Sequence, residues 1–153
     1  MLGLTAMTED EAWQHAKSRW HDGSTRGADF VFQTRPYPSS LHMALKALRA
    51  QGTAIDLAFY QGGADALGLG EEFHHNGLSI RCAQINRVPL GMGSLWSRKR
   101  LSLETIQLLA KDGPAIREHM ITHVVPFNDG PAFLTDLIEN RPEFLQIVFQ
   151  VTA

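Results

Sequence analysis

The sequence contains one cysteine, Cys82, in 153 residues. A lone thiol excludes an internal disulfide and a cysteine-built zinc cluster, and it fits a reducing compartment. There is no Gly-x-Gly-x-x-Gly, so a dinucleotide's pyrophosphate would find no glycine turn at a helix N-terminus. No Gly-x-Ser-x-Gly context supports a serine nucleophile. Basic charge is scarce as well. The formal net charge of −2 gives no electrostatic basis for binding nucleic acid or an anionic membrane. Arg98-Lys99-Arg100 is the one basic cluster and reads as a solvated loop. Trp13, Trp20 and Trp96 are too dispersed to stack nucleobases. No apolar run reaches membrane-spanning length. Met1–Met7 leads directly into Glu9-Asp10-Glu11, without the basic leader and apolar core of a signal peptide, so a cytoplasmic location is expected.

An apolar fraction of 44% and a charged fraction of 20% suit a globular domain with a real core. The stretch Ala50–Gly63 organises the rest. Gly52 follows the helix-like run 40–49, where a C-terminal glycine is expected, and Gly62-Gly63 closes the far side. Between them, residues 53–60 are apolar except for Asp56, as in a parallel strand covered on both faces. Ligands of open parallel sheets bind beyond the carboxyl ends of strands, which directs attention to Leu57–Gln61. Leu57 sits in the most apolar run of the chain, so Leu57→Asp is expected to be severely destabilising.

The remaining elements follow in chain order. Thr8-Glu-Asp-Glu11 is a capping box that opens a helix to about Trp20, with Ala12, Ala16 and Trp20 on one stripe. Residues 28–34 form a short strand broken by Arg35-Pro-Tyr-Pro38. Ser39 or Ser40 caps a helix with Leu41, Ala44, Leu45 and Leu48 on its apolar face. With the strand 53–60 this makes a right-handed βαβ unit. Residues 64–76 suggest a short irregular helix weakened by Gly68 and Gly70. Residues 78–85 form a third strand, and 86–100 a long loop. Ser102 caps a helix that Gly113-Pro114 stops near Lys111. Residues 121–127 alternate as a strand. A helix from Asn128 or Asp129 turns Phe133, Leu134, Leu137 and Ile138 inward, and 144–151 is the last strand.

This order, with Ala28-Asp-Phe-Val-Phe, Gly52-Thr-Ala-Ile-Asp-Leu-Ala-Phe-Tyr, Leu78-Ser-Ile-Arg-Cys-Ala-Gln-Ile and Ile121-Thr-His-Val-Val-Pro-Phe, resembles the C-terminal part of a zinc-type medium-chain alcohol dehydrogenase over residues 8–151. The resemblance implies the second half of a Rossmann domain followed by a segment returning to a catalytic domain. The zinc ligands, the Gly-His-Glu motif and the phosphate turn of such enzymes have no counterpart in this sequence, so no catalytic residue and no zinc are assigned. The implied NAD(P)-facing positions are Gln33 and Thr34, then Leu57, Ala58 and Phe59, then Ala83, Gln84 and Ile85. The basic residue that such enzymes place before the last strand is missing from Phe144-Leu-Gln146, which argues for weak cofactor binding.

Other polar residues have plainer readings. His74-His75 are adjacent and diverge, so they read as a polar loop rather than a metal pair. His119 and His123 sit about a strand where four-residue spacing is too wide to chelate. Cys82 reads as a small buried hydrophobe. Asp56 could bind a ligand hydroxyl, pair with a buried base or face a crevice, and a structural pair outweighs a catalytic acid.

The expected architecture is α/β: a partial Rossmann unit of three parallel strands with flanking helices over residues 1–100, then a strand–helix–strand tail over 101–153, in one compact unit. Two functions fit. One is a truncated or split dehydrogenase, with ancestral NAD(P)-dependent alcohol or carbonyl oxidoreduction, inactive alone. The other is a non-catalytic assembly module that pairs through a bare sheet edge, as a homodimer or with a complementary N-terminal half.

Overall fold

The computed structural model describes residues 4–19, 22–85 and 87–151. The proposed stripe position Trp20 lies outside them. Contact clustering divides the chain into two compact units, Thr5–Val88 and a second that runs from Pro89 onward.

The first unit opens with α1 (Glu9–Arg19). Its capping box is fully formed: Glu11 N donates to Thr8 Oγ1 at 3.3 Å, and Thr8 N donates to Glu11 Oε2 at 2.9 Å. These reciprocal bonds from Thr8 hold the Glu11 carboxyl below its ordinary value. Next come β1 (Ala28–Gln33), α2 (Pro38–Ala47), β2 (Leu48–Asp56) and β3 (Ser79–Cys82). The three strands form one parallel sheet in the order β1-β2-β3. A parallel pair joined through a helix is the βαβ unit expected from the sequence.

The α2 boundaries differ from the expectation at both ends. Pro38 occupies the first helical turn, where its missing N–H is no loss. Ser40 does not cap the helix: it is buried, and its hydroxyl donates to Glu9 Oε1 at 2.8 Å. Nor is Gly52 a helix cap. The helix ends at Ala47 because Leu48, fully buried in the core, is already extended at ψ 145°. Burying Leu48 draws the chain into pairing with Ala28 three residues early. The ladder then bulges: a step of two residues on β1, from Ala28 to Phe30, is matched by a step of five on β2, from Leu48 to Thr53.

Gln51 adopts φ 61° in this bulge, and its N–H donates to Asn76 O at 2.8 Å. Gly27, at φ 125°, passes so close that a Cβ would lie 2.6 Å from Arg49 N; only glycine fits there. Lys17 of α1 secures the same junction by donating to Leu48 O at 2.6 Å.

The core of this unit is Leu41, Leu45, Leu48, Ala54 and Leu78, with Val31, Tyr60, Leu67 and Phe73 packed against it. Burial alternates along residues 52–56, with Gly52, Ala54 and Asp56 buried and Thr53 and Ile55 half-buried. The strand is therefore sealed mainly on one face rather than on both. It also ends at Asp56, so Leu57 (52% exposed) and Phe59 (78% exposed) lie beyond it. β3 is shorter than expected, and Cys82 is exposed rather than buried. The irregular helix is a single π-type turn, Leu69–Phe73.

In the second unit, α3 (Arg98–Met120) is longer than the sequence suggested. Ser97, not Ser102, is its N-cap and accepts from Arg100 N at 3.2 Å. Ser102 instead donates to Arg98 O at 3.0 Å. Pro114 stands inside the helix. It forfeits one backbone bond there, on an exposed stretch of the helix where water can serve the freed carbonyl. Next come β4 (Ile121–Pro126), α4 (Gly130–Asn140) and β5 (Gln146–Gln150). β4 and β5 pair in parallel, which realises the strand–helix–strand tail. On α4, Phe133 and Leu137 are half-buried as expected, whereas Leu134 and Ile138 are exposed. Arg141, at φ 46°, ends the helix.

The two leucines thus give opposite expectations. Leu45→Ala should cost about 2–5 kcal/mol, as for a sealed core leucine. Leu57→Asp should stay within about 0.5 kcal/mol, as for an exposed site. Urea titrations of both variants beside the parent check this reversal; a large loss in Leu57→Asp would place that side chain in the core.

Candidate functional site

The parallel ladder sets Gln33, Asp56 and Cys82 in register at the carboxyl ends of β1, β2 and β3. The segments that leave the three strands therefore emerge side by side: Thr34, then Leu57–Phe59, then Ala83–Ile85. All eight residues singled out from the sequence lie at this end of the sheet, so the topology gathers what the sequence kept apart.

A polar network fixes the ledge from beneath. Gln33 is buried, and its side chain is fully engaged. Its Nε2 donates to Arg35 O at 2.6 Å and to Tyr60 Oη at 3.1 Å, and its Oε1 accepts from Arg35 N at 3.0 Å. Tyr60 donates in turn to Asp56 Oδ1 at 3.0 Å, and Ala58 N donates to the same oxygen at 3.1 Å. Backbone bonds continue the ladder past the strand ends, with Leu57 N donating to Gln33 O at 2.9 Å and Ala83 N to Asp56 O at 2.8 Å. Burial pushes the Tyr60 phenol up; the Gln33 hydrogen bond works against this, and Asp56 adds to it.

Gln33 is thus a scaffold residue whose amide is spent internally. Asp56 pairs with a phenol and a backbone N–H, not with a buried base. Tyr60 was read from the sequence only as strand filler. The signal for its role was its place four residues after the one carboxylate in an apolar run. Leu57, Phe59, Gln84 and Ile85 are exposed. The ledge surface is therefore mostly apolar side chains and backbone, with the Gln84 amide at its β3 end and the Asp56 carboxylate at the end of β2.

A second feature of this unit is a cavity of about 220 Å³ between α1, α2 and β1. Glu9 sits at its rim, accepting from Ser40 at 2.8 Å and from Arg35 Nη1 at 2.5 Å. The Ser40 hydrogen bond holds the Glu9 carboxyl below its ordinary value, against the cost of desolvation and with a smaller contribution from Arg35. Sequence reasoning saw Glu9 only as part of an acidic first turn. In the second unit, Phe127, Gly130, Pro131, Leu134 and Phe149 line an apolar pocket of about 390 Å³.

His74 and His75 are exposed, with rings in an edge-to-face pair 5.8 Å apart. His119 ends α3, while His123 belongs to β4 and lies 5.5 Å from the Phe133 ring. Among the described residues no three His, Cys, Asp or Glu side chains converge as a metal site would require, and no helix is long and apolar enough to cross a membrane.

Because the folded-state pKa of Glu9 lies below its ordinary value, its bonds contribute stability above that ordinary value, and the contribution fades as pH falls through the lowered one. Glu9→Gln should therefore be less stable than the parent near neutrality and should converge with it in acid. Thermal midpoints from pH 7 to pH 3 check this; parallel curves would show that the carboxylate contributes nothing.

Known proteins supply a frame for this geometry. No protein-family model matches the chain. Over 118 residues it is 32% identical to the D-guloside 3-dehydrogenase of Escherichia coli strain K12, and equally to that of Shigella flexneri; the match covers 77% of this chain and 33% of the relative. The chain thus spans about a third of the length of the curated relatives it matches. Among solved structures, alcohol dehydrogenase TADH from Thermus sp. ATN1 superposes with a TM-score of 0.66 at 17% identity, covering 99% of this chain and 39% of that one. Galactitol-1-phosphate dehydrogenase from Escherichia coli superposes with a TM-score of 0.61 at 13% identity, covering 90% and 36%. The chain therefore has the fold of a part of the zinc-type alcohol dehydrogenases, and the resemblance read from its sequence to their C-terminal part stands.

Proposed function

We propose that this chain is the cofactor-facing portion of a dehydrogenase-like oxidoreductase, with NAD(P)-dependent alcohol or carbonyl oxidoreduction as its ancestral chemistry, and that it is inactive by itself. The observation that carries the reading is the alignment of Gln33, Asp56 and Cys82 in one register, which sets the three strand-end segments side by side. Brought together with dehydrogenase relatives over 77% of the chain, this is the place where open parallel sheets take a ligand.

The residues fit one end of a nicotinamide cofactor and not the other. Leu57, Ala58 and Phe59, with Ala83, Gln84 and Ile85, offer apolar surface and backbone groups suited to a flat ring bearing a carboxamide. Thr34 contributes the hydroxyl nearest the β1 end, and Gln33 holds the ledge rather than the ligand. The phosphate end meets no glycine turn in this sequence, and the pyrophosphate is where such sites gain backbone donors. When bound, the nicotinamide supplies the hydride chemistry; this chain's part is to seat the ring and shield one side of it. No zinc is expected to take part through these residues. Binding by this chain alone should therefore be weak. Calorimetric titration with NAD(H) and NADP(H) should show no micromolar site, and a micromolar site would overturn the missing-cradle argument.

A second reading is an assembly module of cytoplasmic location with no nucleic-acid or membrane partner. The observation favouring it is that β1 is an edge strand carrying the exposed side chains Phe30 and Phe32. Natural edges are usually guarded by charge or proline. A homodimer, or a complementary N-terminal half, would cover that edge. Light scattering over a dilution series should show a dimer that dissociates on dilution; a monomer persisting at high concentration would count against pairing between copies.

A further inference from the structure

Asp56 is the one carboxylate among the ledge residues, and apolar contact with a flat ring does not account for it. It is 8% exposed, on a strand whose other members are apolar or glycine from Gly52 to Ile55 apart from Thr53. Keeping a carboxylate there is costly unless its oxygens are served. Oδ1 is served twice, by Ala58 N and by the Tyr60 hydroxyl. No hydrogen bond or ion pair among the described residues engages Oδ2. Among those residues the one sealed side-chain polar atom without a partner is His42 Nδ1. Oδ2 is therefore not fully sealed, and Asp56 is the last residue of β2, next to the ledge.

Neighbouring charges do not explain it. Arg35 is committed to Glu9, at 2.5 Å. Arg49 is committed to Asp29, at 2.6 Å. Gln33 donates to Tyr60, and Tyr60 and Ala58 N–H both donate to Oδ1, so the carboxylate is fixed through one oxygen and the other is left for a further donor. The result is a preorganised acceptor, held by three neighbours and presented without a donor.

We propose that Asp56 is a specificity-determining residue whose Oδ2 accepts a hydrogen bond from a hydroxyl or amide N–H of the small molecule seated on the ledge. This rests on the ledge being the ligand site argued above. The ligand class is then narrowed: it must present a donor at the end of β2, and a ring without one binds less well. A buried charged acceptor discriminates strongly, because a ligand lacking the donor leaves it desolvated and unserved.

The informative substitution is Asp56→Asn. The amide oxygen can still accept from Ala58 N and Tyr60, while the outward position becomes a donor. The full chain, isotopically labelled, would be titrated at millimolar concentration with nicotinamide riboside in its reduced, neutral form, nicotinamide, ribose and N,N-dimethylnicotinamide, with amide shifts followed in the parent, in Asp56→Asn and in Tyr60→Phe.

The parent should give saturable shifts at residues 57–59 and 83–85 with the riboside, about tenfold weaker in Asp56→Asn. Nicotinamide and ribose tested separately show whether the amide or a hydroxyl is the donor. If the amide is, the parent should prefer nicotinamide over its dimethylated form and Asp56→Asn should lose that preference, a change that general loosening of the fold would not produce. Tyr60→Phe, which keeps the carboxylate but removes one of its internal donors, should retain the preference at reduced affinity. Riboside binding within twofold of the parent in a folded Asp56→Asn would overturn the role of Asp56 while leaving the ledge intact as a site. No saturable shift at the ledge in the parent with any probe would overturn both.

Discussion

The burial of two leucines one helical turn apart, Leu45 and Leu48, governs the first unit. Each is fully sealed, which contributes about 1.5–3 kcal/mol apiece by removal from water. Leu45 fastens α2 to the sheet. Leu48 ends the helix and begins β2 in the same residue. Because Leu48 pairs with Ala28 and Thr53 with Phe30, the chain must absorb three extra residues in between. The bulge at residues 49–52 and the close approach at Gly27 are consequences of that anchor. Beyond the bulge the register is fixed, and it is this register that brings Gln33, Asp56 and Cys82 level.

From that alignment the chemistry of the ledge follows. A parallel sheet directs its strand ends to one side, so three segments distant in sequence become one surface. The Gln33–Tyr60–Asp56 chain of hydrogen bonds stiffens that surface, because each member orients the next. The apolar side chains above it, Leu57 and Phe59, are left open by the elements of this unit. Exposed apolar residues beside an ordered polar network form a surface made to be covered, whether by a small molecule or by another segment.

Much of this was legible in the sequence. The capping box at Thr8, the βαβ order and the strand–helix–strand order of the tail rest on local patterns: a cap three residues from its glutamate, apolar spacing of three and four, and short β-branched runs. The family resemblance was legible for the same reason, since it rests on the order of those elements. The errors came from tertiary packing. Gly52 looks like a helix cap until Leu48 is seen to be the core anchor. Residues 57–60 look like strand until the ladder is seen to end at Asp56. Pro114 looks like a stop, but its cost is tolerated on an exposed helix. Cys82 and Leu134 look buried because apolarity alone does not reveal how much neighbouring structure is present to cover them. That positions 33–34, 57–59 and 83–85 fall at one end of the sheet followed from the strand order, whereas the engagement of Gln33 and the part played by Tyr60 were not legible. Both depend on side-chain partners up to 27 residues apart.

The central claim is that the carboxyl ends of β1, β2 and β3 form a single ligand-bearing ledge. Cys82 reports on it directly. It is the single thiol in the sequence, it is exposed, and it stands in register with Asp56 immediately before Ala83. The measurement is its alkylation rate with a small neutral reagent, with and without nicotinamide riboside at millimolar concentration. The account predicts slowing that rises with ligand and saturates, with no change in the thermal denaturation of the protein sufficient to explain it. An alkylation rate independent of ligand would contradict the ledge as the site.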